Sequence, residues 1–132
     1  MILIVDASAV LPVVTRDPSR LALEERLFEP GVSLMAPCLI DLEVVQVLRR
    51  KAATGRLTAR QAEFAIQALA VVLPIERVAH TPLLDRVWEL RANLTAYDAA
   101  YVALAELYDA PMLTRDAKLA RAPGHHARVE LI

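Results

Sequence analysis

The sequence predicts an α/β fold with a short, mostly parallel central sheet flanked by helices. Three observations carry this. Ile2 to Val5 is an uninterrupted apolar run rich in β-branched residues, as in a strand buried on both faces. Other short apolar runs, at Ser33 to Ala36, Val72 to Ile75, Met112 to Thr114 and Val129 to Leu131, alternate with longer helical segments. Capping residues, glycines and eight scattered prolines fall between these segments, with no repeat, linker or low-complexity tract.

Each element has a local reason. Ala7 to Val14 and Ser19 to Phe28 follow the first strand as helices. Pro37 stands where a helix begins, and Cys38 to Ala53 continues helical until Gly55 stops it. Thr58 and Gln61 form a capping-box pattern opening a helix to about Val71. Pro74 marks the following strand, Val72 to Ile75, as an edge or a strand end. Thr81-Pro82 opens a helix to about Asn93, and Thr95 with Asp98 opens another to about Tyr108. A short helix, Asp116 to Arg121, precedes the last strand.

At 132 residues the chain is expected to form one domain, residues 1–132. Apolar residues make up 56% and charged residues 23%, which excludes a disordered chain. Lys+Arg number 15 against 16 Asp+Glu, a net charge of −1, which argues against a broad basic face for nucleic acid. Any such contact is local or metal-bridged. A mean hydropathy of +0.38 predicts apolar surface left exposed, for a homodimer or a partner. No segment reaches the ~18 apolar residues of a membrane span, so no membrane partner is expected. The opening Met1-Ile2-Leu3-Ile4-Val5-Asp6 lacks the basic start of a signal peptide. Cys38 is alone, so no disulfide framework exists and a cytoplasmic home is expected.

In parallel sheets the functional crevice lies beyond the carboxyl ends of the strands. Asp6 follows the first strand directly, and Asp116 follows the strand ending at Thr114 by one residue. Taken alone, each is also a favoured helix cap. Glu43 sits in a helix dominated by Leu39, Ile40, Leu42, Val44, Val45, Val47 and Leu48. At ~100° per residue it shares a narrow polar stripe with Gln46 and Arg50. Leu42 and Val45 lie off the core arc, so this helix is expected to be buried on several sides. Glu43 then needs a partner, a metal or a wet cavity, with Arg50 as the bland partner. Asp98 fits a capping box with Thr95, yet its face continues through Val102 and Ala105 and so looks inward.

Four separated acids at one end of a sheet would repel one another without a cation. Oxygen-only ligands with no matching Cys or His set favour Mg2+ or Mn2+ over zinc. A divalent ion so held suits phosphodiester hydrolysis, and it lets a near-neutral protein bind an anionic polymer.

On these residues the sequence resembles a PIN-domain ribonuclease, in particular the VapC-type toxins of bacterial and archaeal toxin–antitoxin pairs. The resemblance spans nearly the whole chain. It rests on Val5-Asp6-Ala7-Ser8-Ala9, on Leu42 to Arg50, on Tyr97-Asp98-Ala99-Ala100-Tyr101 through Ala105, and on Leu113-Thr114-Arg115-Asp116 through Leu119. It implies a PIN-like three-layer α/β/α fold. It further implies a metal-dependent endoribonuclease acting on structured RNA such as tRNA or rRNA, with Asp6, Glu43, Asp98 and Asp116 as catalytic metal ligands. Ser8 and Thr114 match small hydroxyls that support those carboxylates. Gln46 stands where such proteins commonly carry Asn, a departure by one methylene. Ala117 and Lys118 add no further acid after Asp116, so one tight metal and a weaker second are expected. The resemblance also implies a growth-arresting toxin and a cognate VapB-type antitoxin that blocks the acidic cleft.

Arg49, Arg50 and Arg115 are candidate RNA contacts; for Arg49 and Arg50, with Lys51 and Arg56, the competing reading is a solvated helix end. The competing function is a PIN-like scaffold that binds a partner without cutting. A phosphotransfer aspartate is disfavoured, because Asp6-Ala7-Ser8 lacks a second acid, and a hydrolase triad at Ser8 lacks its companions. His125-His126 reads as a flexible surface pair rather than a zinc site. His80 reads as a loop residue, and Trp88 as core or interface.

Overall fold

A computed structural model describes residues 1–132. In chain order the elements are β1 (Ile2–Val5), α1 (Ala7–Val14), α2 (Leu21–Leu27), β2 (Ser33–Pro37), α3 (Leu39–Ala53), α4 (Ala59–Gln67), β3 (Ile75–Val78), α5 (Leu84–Glu89), α6 (Ala96–Leu107), β4 (Met112–Thr114), α7 (Ala117–Ala120) and β5 (Val129–Leu131). One-turn 3-10 helices precede α2, at Pro18–Arg20, and α5, at Thr81–Leu83. The five strands form one sheet in the order β3-β2-β1-β4-β5, and every pairing is parallel. The expected α/β/α architecture is therefore present.

This order fixes where a site lies. From β1 the chain winds outward through β2 and β3, then returns to β4 on the other side of β1 and winds out to β5. The reversal makes β1 and β4 a topological switch point, with a crevice beyond their carboxyl ends. Ile4 pairs with Met112 and Val5 with Leu113, so Asp6 and Thr114 emerge side by side at that crevice.

The core is built from residues that the strand and helix patterns require. Leu3, Ile4 and Val5 are fully buried, as are Ile40, Val44 and Val102. Helix α6 packs on β1, β2 and β4, while α1 packs against α2, α3 and α4. Six consecutive residues of α6, Ala99 to Leu104, are buried, and Ala105 extends the run. The abundance of alanine lets this helix press close to the sheet.

Several expectations are corrected. The strand expected at Val72 to Ile75 runs instead from Ile75 to Val78. Residues 68–72 continue the preceding helix as a π turn, closed by the Leu73 N–H bonding to the Ala68 carbonyl at 3.1 Å. Val71 and Val72 point to solvent, whereas Leu73 and Ile75 are buried in the core. Pro37 does not begin a helix; it ends β2, opposite Val78. The helix expected to reach Asn93 stops at Glu89, where Arg91 folds back to donate to the Trp88 carbonyl at 2.9 Å. Trp88 is not core: it is 67% exposed, with the Arg91 guanidinium 4.3 Å from its ring centroid. Helix α3 is not buried on several sides either. Its buried stripe is Ile40, Val44 and Leu48, and Leu42 is 75% exposed.

The two adjacent histidines are engaged rather than free. His126 donates its backbone N–H to Glu106 Oε1 at 3.0 Å, and the His125 ring accepts from the Ala127 N–H. His80 accepts from the Leu39 N–H at 3.0 Å, tying the loop after β3 to the start of α3.

Candidate active site at the carboxyl ends of β1 and β4

Asp6 is the anchor. It is 7% exposed, and every contact that holds it comes from the switch-point geometry. As N-cap of α1 it accepts from the Ala9 N–H at 3.0 Å. Ser8 Oγ donates to its Oδ1 and Thr114 Oγ1 donates to its Oδ2, both at 2.6 Å. These hydroxyls are held in turn. Ser8 Oγ accepts from the Arg115 N–H at 2.9 Å, and Thr114 Oγ1 accepts from the Asp116 N–H at 3.0 Å. The two side chains therefore link the backbone leaving β4 to both carboxylate oxygens of Asp6.

Asp116, two residues beyond the end of β4, caps α7, accepting from the Lys118 and Leu119 N–H groups at 2.9 and 3.2 Å. Its capping role and its position at the strand end coexist. Asp98 lies in the first turn of α6. Its backbone N–H donates to Thr95 Oγ1 at 3.1 Å, and its half-buried carboxylate forms no salt bridge. Glu43 reaches in from α3, and its Oε1 accepts from the Tyr101 hydroxyl at 2.6 Å. The alternative Glu43–Arg50 pair does not form.

The electrostatics tie the four acids together. Burial raises the pKa of Asp6 above the ordinary carboxylate range. Its hydroxyl and N–H donors oppose that shift, and the charge of Asp116 adds to it. Glu43 is raised by burial and by the charges of Asp98 and Asp6, against the pull of Tyr101. Asp98 is raised by burial and then by Asp116 and Asp6. Each of these three carboxylates thus feels at least one other acid of the set. As the side chains stand, however, no three acidic, histidine or cysteine groups are gathered into a closed ligand set.

Asp98 and Asp116 line a cleft of about 510 Å3, together with Lys118, Arg121, Asn93 and Thr95 among others. The donor chemistry fits a hard divalent cation. All four groups are carboxylates, three of them feel like-charge repulsion, and Asp6 and Glu43 are oriented by donors behind them.

A protein-family comparison adds to this geometry: the PIN domain model matches residues 3–125. The chain belongs to the PIN-domain family. Among the relatives of this PIN domain, Ribonuclease VapC1 of Mycobacterium tuberculosis is 38% identical over 130 residues, 98% of this chain and 96% of that protein. The fold is shared with VapBC2 of Rickettsia felis, solved bound to a promoter DNA fragment. That match has a TM-score of 0.73 at 13% identity and covers 99% of this chain and 98% of the other. It is shared also with M. tuberculosis VapC20, described as a Sarcin-Ricin loop cleaving toxin, with a TM-score of 0.67 at 17% identity, covering 89% and 92%.

The remaining expected site residues stand further out. Gln46 is exposed, and its amide oxygen accepts from Arg49 Nε at 3.2 Å rather than from a group of the acid set. Arg49 and Arg50 are exposed on α3. Arg115 is exposed beside the acids, with its guanidinium donating to Ser19 Oγ at 3.0 Å. Sequence reasoning did not single out Tyr101. The available signal was its spacing, three residues after Asp98 on the same face of a buried helix. Lys118, in α7, and Arg121, just after it, also line the cleft, a placement that depends on how α7 packs beyond β4.

Proposed function

We propose that this PIN domain is a metal-dependent endoribonuclease that hydrolyses phosphodiester bonds in structured RNA, tRNA or rRNA. It acts as a growth-arresting toxin of the cytoplasm, neutralised by a VapB-type antitoxin. The single observation that carries the reading is the placement of four carboxylates beyond the ends of β1 and β4: Asp6 held by Ser8, Thr114 and the Ala9 N–H, Glu43 held by Tyr101, Asp116 capping α7, and Asp98 near enough to raise the pKa of Glu43. The similarity to VapC ribonucleases over nearly the full chain supports it.

In this reading the four acids hold Mg2+ or Mn2+. When bound, the ion supplies Lewis-acid stabilisation of the phosphate oxygens and a lower pKa for the attacking water. Asp6, locked by Ser8, Thr114 and the Ala9 N–H, gives the fixed point of the site. Glu43, held by Tyr101, contributes a second oriented oxygen. Asp98 and Asp116 bring charge to the mouth of the cleft, where RNA enters. With Ala117 and Lys118 in the next positions, one ion binds tightly and a second weakly. Arg115 and the exposed Arg49 and Arg50 are the proposed backbone contacts outside the pocket.

The exposed Leu42, Val71, Val72 and Trp88 leave apolar surface that fits an antitoxin and a homodimer. No helix is long and apolar enough to cross a membrane.

Gln46, turned outward to Arg49, favours a second reading: a PIN scaffold that binds a partner and does not cut. One assay separates the two. Purified protein is incubated with total tRNA and rRNA in Mg2+ or in EDTA, and fragment 5′ ends are sequenced. Discrete cuts that vanish in EDTA are expected. Intact RNA in both conditions favours the scaffold, and equal cutting in both removes the metal from the reaction.

A further inference from the structure

Two acids of the set, Asp98 and Asp116, line a cleft whose wall also carries cations. Lys118 and Arg121 both line it, next to Asp98 and Asp116. Neither takes part in any of the protein's salt bridges, in contrast to several of its other arginines. Arg26, Arg77, Arg86 and Arg128 each hold a carboxylate at 2.7 to 2.9 Å. Lys118 offsets part of the negative charge felt by Asp98, yet neither it nor Arg121 is drawn into an ion pair by the fold.

The wall that carries them is built rather than loose. Asp116 fixes the Lys118 backbone through the α7 cap, and the Arg121 N–H bonds back to the Ala117 carbonyl at 3.2 Å. The turn beyond closes on Gly124, whose φ is +90°. A Cβ at that position would lie 2.5 Å from the Asn93 amide nitrogen. The turn therefore packs against the Asn93 side chain, and its positive φ favours glycine. At about 510 Å3 the cleft falls within the ~300–1,000 Å3 typical of sites for small ligands.

We propose that Lys118 and Arg121 form a phosphate subsite for the RNA strand, taking the backbone phosphate next to the one presented to the acids. This rests on the ribonuclease reading and deepens it. An RNA strand crossing the site meets opposite charges in sequence: acids with their ion at the scissile phosphate, then bare cations one step along. The arrangement explains how a chain of net charge −1 holds a polyanion without a broad basic face. It also sets the strand's register, since the two cations lie on only one side of the acids.

The test is RNA binding, measured without turnover. Fluorescence anisotropy of a labelled single-stranded oligouridylate is recorded in EDTA at several salt concentrations. Wild type is compared with the double variant Lys118→Ala Arg121→Ala. A second double variant, Arg60→Ala Arg128→Ala, removes the same charge from residues that do not line the cleft. The cleft variant is expected to bind on the order of tenfold more weakly. Its log–log salt slope should be shallower by about 1.4, two contacts on a single strand. The control should retain the wild-type slope. Circular dichroism of both variants checks that the fold is kept.

Equal affinity and slope for wild type and the cleft variant overturn the subsite, as does an equal loss in the control. Either result leaves the two cations as neutralisers of the acids. The slope change in a protein that binds RNA but leaves it uncut upholds the subsite while removing the nuclease reading.

Discussion

The Tyr101 hydroxyl donates to Glu43 Oε1 at 2.6 Å, joining α6 to α3 across the mouth of the site. Tyr101 is 1% exposed, so its ring is fixed by packing and its hydroxyl serves only that carboxylate. Its pKa is pushed far up by burial and by the adjacent Glu43, so the phenol keeps its proton and remains a donor. An oriented carboxylate is worth more to a metal site than a free one.

Tyr101→Phe removes the hydroxyl and leaves the ring. Divalent-ion affinity and RNA cleavage should both fall, by about 10- to 100-fold. The ion titration, followed by calorimetry, reads the effect apart from turnover. Unchanged affinity and cleavage would show that Glu43 is oriented by other means.

Thr114 is fully buried and satisfies two groups at once, Asp6 Oδ2 and the Asp116 N–H. Thr114→Val keeps the shape and strands both partners. Urea unfolding should show a loss of about 1–3 kcal/mol. Thr114→Ser, which restores the hydroxyl, should recover most of it. Equal losses in both variants would assign the effect to the methyl group instead.

The raised acids make a linkage prediction. Asp98 has a folded pKa above its ordinary 3.8, owing first to burial and then to Asp116 and Asp6. The folded chain therefore binds this proton more tightly than the unfolded chain does. Its contribution to stability is fully present below pH 3.8 and is lost as pH rises through the raised value. In EDTA, the stability of wild type relative to Asp98→Asn should accordingly fall with rising pH, and the variant should melt higher near neutrality. A difference independent of pH would mean that folding does not raise the Asp98 pKa. Asp17, Glu106 and Glu130, whose pKa values are lowered, are common to both proteins and cancel.

The sheet-end acids were legible in the sequence because position along a strand is a local property. Asp6 and Asp116 follow apolar runs whose ends composition marks. Helix α4 was legible for the same reason, since Thr58 and Gln61 form both bonds of the capping box. Errors arose where tertiary context decides. Val71 and Val72 have the composition of a strand, but a π turn carries them to the surface and starts β3 after Pro74. Leu42 and Val45 suggested a helix buried on several sides, yet they face outward. The Tyr101–Glu43 bond spans 58 residues, and no local pattern encodes such a meeting.

The central claim is that Asp6, Glu43, Asp98 and Asp116 surround one binding point for a divalent ion. Substoichiometric Mn2+ added to the 15N-labelled protein tests it most directly, through paramagnetic broadening of amide resonances. Broadening centred on residues 6–9, 43, 98 and 114–119, and lost in Asp98→Asn, is the predicted result. Broadening centred elsewhere, or none at millimolar Mn2+, would contradict the account.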